Sequence, residues 1–144
     1  MMSRASLEWM AGFFDGEGWL DVHKTTTTKG YTTWQLRAAI TNTDRQLLED
    51  FLEAFGGHIY RRKKVKTHHR ETFTWVVGNE IALPFLKVML PHVRAERNKA
   101  RIALGIEFQT QKRRGGHRAK DGYSARQERF YERMRELTRR PHPQ

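Results

Sequence analysis

The stretch that decides the fold is residues 10–18, Met-Ala-Gly-Phe-Phe-Asp-Gly-Glu-Gly (MAGFFDGEG). The apolar spacing around it predicts a helix over residues 7–16, which the following glycines end. Gly12 and Gly16 lie four residues apart, so they share one helix face. Glycine lowers helix propensity, and a helix that keeps two of them on one face usually has a packing reason. The face then packs closely either against another part of this chain or against a second chain.

The same segment places two acids at the C-terminal end of the predicted helix. Asp15 and Glu17 lie where the helix dipole is negative, which disfavours carboxylates. Acids kept in such a position usually meet a cation. The segment therefore combines a close-packing face with an acidic tip.

Outward from this helix, hydrophobic periodicity predicts strands, a helix, two more strands and further helices. Apolar residues alternate from residue 19 and again over residues 34–40, which is typical of half-buried strands. Helical spacing returns from about residue 44, over residues 79–90, 94–112 and 124–140. The apolar side predicted for residues 79–90 consists of Ile81, Leu83, Leu86 and Leu90.

This order predicts an α+β fold with an α-β-β-α-β-β-α core. Four strands form an antiparallel sheet, and the helices cover one of its faces. We expect one domain over residues 1–144, with its core at about residues 7–110 and a C-terminal basic loop and helix at residues 111–140.

Composition points to a polyanionic partner. The 144 residues include 27 Lys and Arg against 16 Asp and Glu, a formal net charge of +11. Such an excess favours nucleic acid. The absence of cysteine excludes disulfides, thiolate zinc sites and cysteine catalysis. No apolar run approaches the ~20 residues of a membrane span, and residues 1–10 lack the apolar stretch of a signal peptide. We expect a soluble, intracellular protein with no membrane partner, in a cytoplasmic or organellar compartment.

Residues 10–18 resemble the motif of the LAGLIDADG homing endonucleases. Met10 stands for the motif's leucine, Phe13 and Phe14 for its apolar pair, and Glu17 for its second acid. The order of elements over roughly residues 7–110 is similar as well. The resemblance implies the homing-endonuclease fold and a site-specific DNA endonuclease of the type encoded by mobile introns or inteins.

In that family, two motif helices pack together and their acidic tips bind divalent cations over the DNA. One motif in this chain implies a homodimer that cuts a long, nearly palindromic duplex and leaves a staggered break. The expected metal ligands are Glu17 and the carbonyl of Gly16. Mg²⁺ is the expected ion, since oxygen ligands suit hard cations, and Mn²⁺ or Ca²⁺ are alternatives. The resemblance implies a dimer interface made by Met10, Ala11, Gly12, Phe13, Asp15 and Gly16, although Asp15 is more suited to capping or bracing the helix end.

Residues beyond the motif are also expected to serve catalysis. Asn42 matches a family position where an amide orients the attacking water, although it is also suited to capping the next helix. Glu96 stands where the family usually has a lysine. Arg94, Arg97 or Lys99 is therefore expected to supply the positive charge from a neighbouring turn.

The polar face of the predicted sheet suits the DNA major groove, whose edges distinguish all four base pairs. The residues expected on this face are Trp19, Asp21, His23, Thr25 and Thr27 from the first strand, Gln35, Arg37 and Thr41 from the second, Tyr60, Arg62 and Lys64 from the third, and Arg70, Thr72 and Thr74 from the fourth. Residues 60–70 hold six Lys or Arg and no acid. In the later basic loop, phosphate contacts are expected from Lys112, Arg113, Arg114 and Arg118.

Two other readings remain open from the sequence. The first is a DNA-binding regulator, or a maturase that assists intron RNA splicing, on the same scaffold without cleavage; the acid at position 96 favours it. The second is a small basic RNA-binding protein with a chance motif match, which predicts a monomer and leaves the acidic tip unexplained.

Overall fold

The structure is a computed structural model, which describes residues 6–62, 70–112 and 123–139. The elements follow in the predicted order. They are α1 (Leu7–Glu17), β1 (Gly18–Thr26), β2 (Thr32–Asn42), α2 (Arg45–Phe55), β3 (His58–Arg62), β4 (Thr72–Gly78), α3 (Asn79–Met89), α4 (Glu96–Gln111) and α5 (Tyr123–Thr138). The predicted α+β fold with four antiparallel strands is confirmed.

The four strands pair in the order β1-β2-β4-β3. Alternation along each strand separates two faces of the sheet. Leu20, Leu36 and Trp75 lie on the inner face and are fully buried among helix side chains such as Phe51 and Phe85. The opposite face, which we call the outer face, bears the polar residues of each strand, so the predicted assignment of residues to the two faces is correct.

α1 begins at a side-chain cap and ends at the first strand. The Ser6 hydroxyl accepts a hydrogen bond from the Trp9 amide (3.1 Å), and Gly18 donates its amide to Phe14 at the C-terminal end. The helix buries Met10, Ala11 and Phe14 in the core. The motif segment therefore leads directly from the core into β1.

α3 is rotated relative to the prediction. Its buried residues are Ala82, Phe85, Leu86 and Met89, whereas Ile81 is 53% exposed. The reason is an aromatic cluster in which the Phe85 ring lies 4.9–5.2 Å from the rings of Phe14, Phe55 and Trp75. Phe85, rather than Ile81 or Leu83, sets which face turns inward.

In the part of the chain that the structure describes, no helix combines the length and the apolar composition that crossing a membrane requires.

Candidate functional site

The C-terminal end of α1 meets the N-terminal end of α4 through Asp15. The Asp15 carboxylate accepts hydrogen bonds from the Arg94 amide (2.7 Å) and from the side-chain amide of Asn98 (2.8 Å), with a longer contact from the Ala95 amide (3.4 Å). Ala95 is the cap position of α4 and has no side-chain acceptor of its own. Asp15 therefore acts as a brace, but for α4 rather than for its own helix.

Of the two acids at the C-terminal end of α1, Glu17 is the one that is open to solvent. Its side chain is exposed, and within the described residues its carboxylate makes no hydrogen bond or ion pair. Gly18 pairs with Ile40, and this register brings the residue before it to the end of β2. Glu17, the end of β2 and the start of α4 thus lie at one edge of the molecule, which we call the acidic edge.

Asn42 is the last residue of β2, and the end of β2 is part of the acidic edge. Its side-chain oxygen accepts the Asp44 amide (2.8 Å), so it stabilises the turn into α2. The cap of α2 is Asp44, which accepts the Gln46 amide (3.0 Å). The expected capping role of Asn42 is therefore corrected to a turn contact. Its amide nitrogen has no partner among the described residues.

The basic residues at the start of α4 differ in whether they form an ion pair. Lys99 donates to Glu96 (3.2 Å), so these two charges offset each other. Arg94 and Arg97 are exposed and form no ion pair within the described part of the chain. The acid at position 96 thus pairs with Lys99, and Arg94 and Arg97 remain available.

Arg101, one turn further along α4, was not singled out from the sequence. It is nearly buried and donates from Nη2 to the backbone oxygen of Leu20, which fastens α4 to β1. Burial, together with the nearby Arg97 charge, lowers its pKa from the usual value. Arg101 is one of several basic residues on α4, and nothing in the sequence distinguishes the one that makes such a contact.

The donor set at the acidic edge fits one partial site for a hard cation. Over residues 6–62, 70–112 and 123–139, no group of three or more His, Asp or Glu converges. Glu17 offers free carboxylate oxygens, and α1 ends in backbone carbonyls beside it, which are the ligand types that Mg²⁺ and Ca²⁺ take. One chain therefore supplies part of a coordination sphere, and further ligands must come from water, a substrate phosphate or a second chain.

The face of α1 expected to meet a second chain needs one correction. Met10 and Ala11 are at most 1% exposed and belong to this chain's own core, so their side chains cannot contact a partner. Gly12 and Gly16 are exposed, and a Cβ atom built on either would meet nothing within 4 Å. The alternative that these glycines serve packing within the chain is therefore not supported by the described residues.

Beside the glycines, α1 presents aromatic surface. Phe13 is half-buried and stacks on Trp9 with 5.1 Å between ring centroids. Trp9 is 38% exposed. Trp9 and Phe13 each precede one of the glycines by three residues, so they border the glycine face with apolar surface, a combination typical of a contact surface.

On the outer face, the predicted DNA-binding residues form cross-strand rows. The register places Asp21 opposite Arg37, His23 opposite Gln35, Tyr60 opposite Thr74 and Arg62 opposite Thr72. Gln35, Tyr60 and Arg62 are exposed, and Asp21, His23 and Arg37 are partly so. Thr74 is the exception: it is 1% exposed and hydrogen-bonds Thr41 (2.8 Å), so Thr74 is not open to a ligand.

Some predicted DNA-binding residues lie outside the strands. Thr27 follows β1, and its hydroxyl accepts the Tyr31 amide (3.1 Å) in the turn. Thr25, by contrast, lies within β1, one residue before its end, and shares a hydrogen bond with Thr33 (2.9 Å). Arg70 is exposed but precedes β4. Lys64, Arg113, Arg114 and Arg118 lie outside the described residues.

The Lys112 side chain, which is expected to contact phosphate, has partners within this chain. Its ammonium donates to the Asn79 side chain (3.0 Å) and lies 5.9 Å from the Phe108 ring centroid. Burial lowers its pKa from the usual value. A contact with α3 that the local sequence does not indicate thus holds the side chain, and the phosphate contact of Lys112 stays a prediction.

Comparison with known proteins gives a family and a fold. Residues 10–92, more than half of the chain, match the LAGLIDADG endonuclease family. No curated protein sequence matches. Among solved structures, the homing endonuclease I-CvuI, in complex with the I-CreI target in the presence of Mg, has a TM-score of 0.74 at 15% identity, covering 96% of this chain and 85% of that one.

Two other solved structures are similar to this chain. The archaeal intron-encoded homing endonuclease I-Vdi141I, complexed with DNA, has a TM-score of 0.75 at 18% identity, over 96% of this chain and 87% of that one. The LAGLIDADG homing endonuclease I-GzeII, in complex with its DNA target, has a TM-score of 0.68 at 14% identity, over 92% of this chain but 43% of that one. These likenesses agree on the fold, and the matched motif and its flanking elements lead to one conclusion: the chain belongs to the LAGLIDADG endonuclease family.

Proposed function

We propose that this chain is a site-specific endonuclease of double-stranded DNA that depends on a divalent cation and acts as a homodimer. The observation that carries the proposal is Glu17, a carboxylate that is exposed and has no partner among the described residues, at the tip of a helix whose open face bears Gly12 and Gly16. The whole chain is proposed to act as one domain. Its net charge of +11 favours association with DNA.

The homodimer is supported by the helix stability that the two glycines of α1 forgo. Glycine inside a helix is less favourable than alanine by about 1 kcal/mol, and no contact within the described residues offsets this. Close approach of a second α1 along the Gly12 and Gly16 face would offset it. The coverage of less than half of I-GzeII also fits a chain that supplies half of a complete DNA-binding unit.

The proposed chemistry uses residues of the acidic edge. Glu17 and the Gly16 carbonyl would hold Mg²⁺, which when bound would stabilise charge on the scissile phosphate. The free amide nitrogen of Asn42 would orient the attacking water. Arg94 and Arg97 would stabilise negative charge on the phosphate from the start of α4, in the place of a lysine. Asp15 keeps α1 and α4 together and takes no part in the chemistry.

The outer faces of two chains would lie in successive major grooves of the duplex. Because a two-fold dimer presents the same residues to both half-sites, the target would be nearly palindromic. The two sites act on opposite strands, so the product would be a staggered double-strand break.

The test is a cleavage selection on a large library of randomised duplexes. Wild-type protein is incubated with the library and Mg²⁺, beside an EDTA control, Glu17→Gln, and Glu53→Gln as a control. Glu53 is an exposed acid on α2, away from the glycine face of α1. We expect new DNA ends with wild type and Glu53→Gln only, with palindromic flanking sequence. Ends that persist with Glu17→Gln or in EDTA would contradict the proposal.

A second candidate is a non-cleaving binder on the same scaffold, either a DNA-binding regulator or a maturase that binds intron RNA. The Glu96–Lys99 pair favours it, because it leaves no free lysine at the start of α4 within the described residues. It predicts that the same library is enriched for one bound sequence but never cut. Enrichment of folded intron RNA over duplex DNA would identify the maturase.

A further inference from the structure

Arg37, Asp21 and Trp19 form an ordered group near the middle of the outer face. Arg37 Nε donates to Asp21 Oδ1 (3.1 Å), and Arg37 Nη2 donates to Asp21 Oδ2 (2.9 Å). The guanidinium carbon lies 5.5 Å from the Trp19 ring centroid. The two strands place Asp21 directly opposite Arg37. A two-point ion pair and an aromatic contact therefore hold one arginine in a single orientation.

The pairing uses only part of the guanidinium. Arginine has five N–H donors, and Asp21 takes the one on Nε and one on Nη2. Both donors on Nη1 and the second donor on Nη2 remain. Of these three donors, one on Nη1 and the one on Nη2 form the end-on pair that can donate to a planar acceptor edge. The side chains of Arg37 and Asp21 are 34% and 40% exposed, so this end is accessible.

The neighbouring strand leaves space beside the arginine. On the side of Arg37 away from Asp21, the residue in the same row is Gly78. Glycine projects no side chain over the outer face, so neither a carboxylate nor an apolar group from this position covers Arg37. The arginine is thus braced on one flank and unobstructed from the next strand on the other.

We infer that Arg37 reads a guanine in the major groove and that Asp21 positions it to do so. Guanine presents two acceptors on its major-groove edge, O6 and N7, and a paired arginine fork matches them. Adenine replaces one acceptor by an amino donor, cytosine presents an amino donor, and thymine presents one acceptor and a methyl group. Asp21 also repels nearby phosphate, so it favours specificity over affinity. The inference rests on the proposed function, because it requires the outer face to meet DNA.

The test measures base preference by binding, without Mg²⁺ so that the duplex stays intact. Wild type, Arg37→Lys, Arg37→Ala, Asp21→Asn and the control Arg133→Ala are each selected on randomised duplexes, and Kd is measured for the four bases at each selected position. Arg133 pairs with Glu136 on α5 (2.9 Å), so its removal also deletes one cation from an ion pair. Arg37→Lys keeps the charge and a flexible side chain, which protects the comparison against misfolding.

For wild type we expect one position in each half-site where guanine is preferred by about 5- to 150-fold, the range of a two-point base contact. Arg37→Lys and Arg37→Ala should reduce this preference to within about twofold, whereas Arg133→Ala should keep it. Asp21→Asn should lower the guanine preference while tightening binding to all sequences, because it removes a negative charge near the phosphates. A merely structural role for Asp21 would not shift these two quantities in opposite directions.

Two results would overturn the inference, and they are distinguishable. If wild type enriches a sequence and the Arg37 variants keep every base preference, the inference fails while the proposed function stands. If wild type enriches no sequence at all, the proposed function fails and the inference fails with it.

Discussion

At the scale of single residues, the two acids of the motif differ in their hydrogen-bond partners. Asp15 and Glu17 are two positions apart in one helix, yet Asp15 caps another helix and Glu17 faces solvent. The helix dipole alone disfavours both acids at this end. Three donors at the N-terminal end of α4 compensate Asp15, the amides of Arg94 and Ala95 and the side chain of Asn98. Glu17 has no such partner among the described residues, so it is the acid of this pair that stays open to solvent.

The hydrogen bonds of Asp15 to the start of α4 predict that its loss destabilises the fold more than the loss of Asp44, the cap of α2. Asp15→Ala should lower the free energy of unfolding by about 2 kcal/mol, because two close hydrogen bonds and one longer contact are lost. Asp44→Ala removes one hydrogen bond at the start of α2, so it should cost about 1 kcal/mol. Urea denaturation of both variants measures the difference. Equal costs, or a smaller cost for Asp15→Ala, would contradict the brace.

At the scale of elements, α5 is docked on the sheet by Glu128. Its carboxylate accepts from Lys24 Nζ (2.9 Å) and from Trp34 Nε1 (3.1 Å), which joins α5 to both β1 and β2. Lys24 also lies 5.2 Å from the Tyr131 ring centroid. Glu and Arg residues recur along this helix, a pattern that predicts ion pairs within the helix. Arg133 and Glu136 do pair in that way, but Glu128 pairs across the fold.

This docking predicts an acid-dependent loss of stability. The hydrogen bond from Lys24, with that from Trp34, lowers the pKa of Glu128 from its usual value of 4.5. A depressed carboxyl pKa stabilises the fold above the unfolded value, and that stabilisation is lost as the pH falls through the folded value. The difference in unfolding free energy between wild type and Glu128→Gln should therefore shrink as the pH falls below 4.5.

The matched control for Glu128 is Glu107→Gln, an exposed glutamate on α4 that hydrogen-bonds the neutral Gln111 (3.3 Å). Chemical denaturation at a series of pH values measures both variants. A difference between wild type and Glu128→Gln that stays constant down to low pH would argue against the ion pair as the docking contact.

At the scale of the whole molecule, the local hydrophobic pattern predicts which face of each strand is buried. Contacts between residues distant in sequence decide the orientation of α3 and the partners of Asp15 and Lys112. Alternation along β1 and β2 correctly separates the two sheet faces, because strand side chains have a strict period of two. The predicted buried face of α3 was wrong because Phe85 contacts aromatic residues from three other elements. The contacts of Asp15 with α4 and of Lys112 with Asn79 each join residues more than 30 positions apart. No local signal in the sequence identifies such partners.

The proposed homodimer predicts that Gly12→Leu has opposite effects on the stability of the chain and on its self-association. Gly12→Leu should raise the stability of the isolated chain by up to about 1 kcal/mol, because the site is open and leucine favours helix. The same side chain should weaken self-association about tenfold or more, since overpacking a close contact costs about 1–3 kcal/mol. Thermal unfolding and sedimentation equilibrium measure the two effects.

The control for Gly12→Leu is Ala103→Leu, an enlargement at an exposed position of α4. It should leave self-association unchanged. Self-association that Gly12→Leu leaves at the wild-type level would show that the glycine face is not the interface.

Glu17 is proposed to serve metal-dependent cleavage rather than folding or DNA binding. The decisive measurement is the single-turnover cleavage rate of the selected duplex in Mg²⁺ for wild type, Glu17→Gln and the α2 control Glu53→Gln, with Kd measured for each without Mg²⁺. We predict a rate lower by about 10³-fold or more for Glu17→Gln, since a metal ligand contributes several kcal/mol to transition-state stabilisation. Its Kd should stay within a few-fold of wild type, and Glu53→Gln should match wild type in both. Cleavage by Glu17→Gln at the wild-type rate would contradict the proposed role of Glu17.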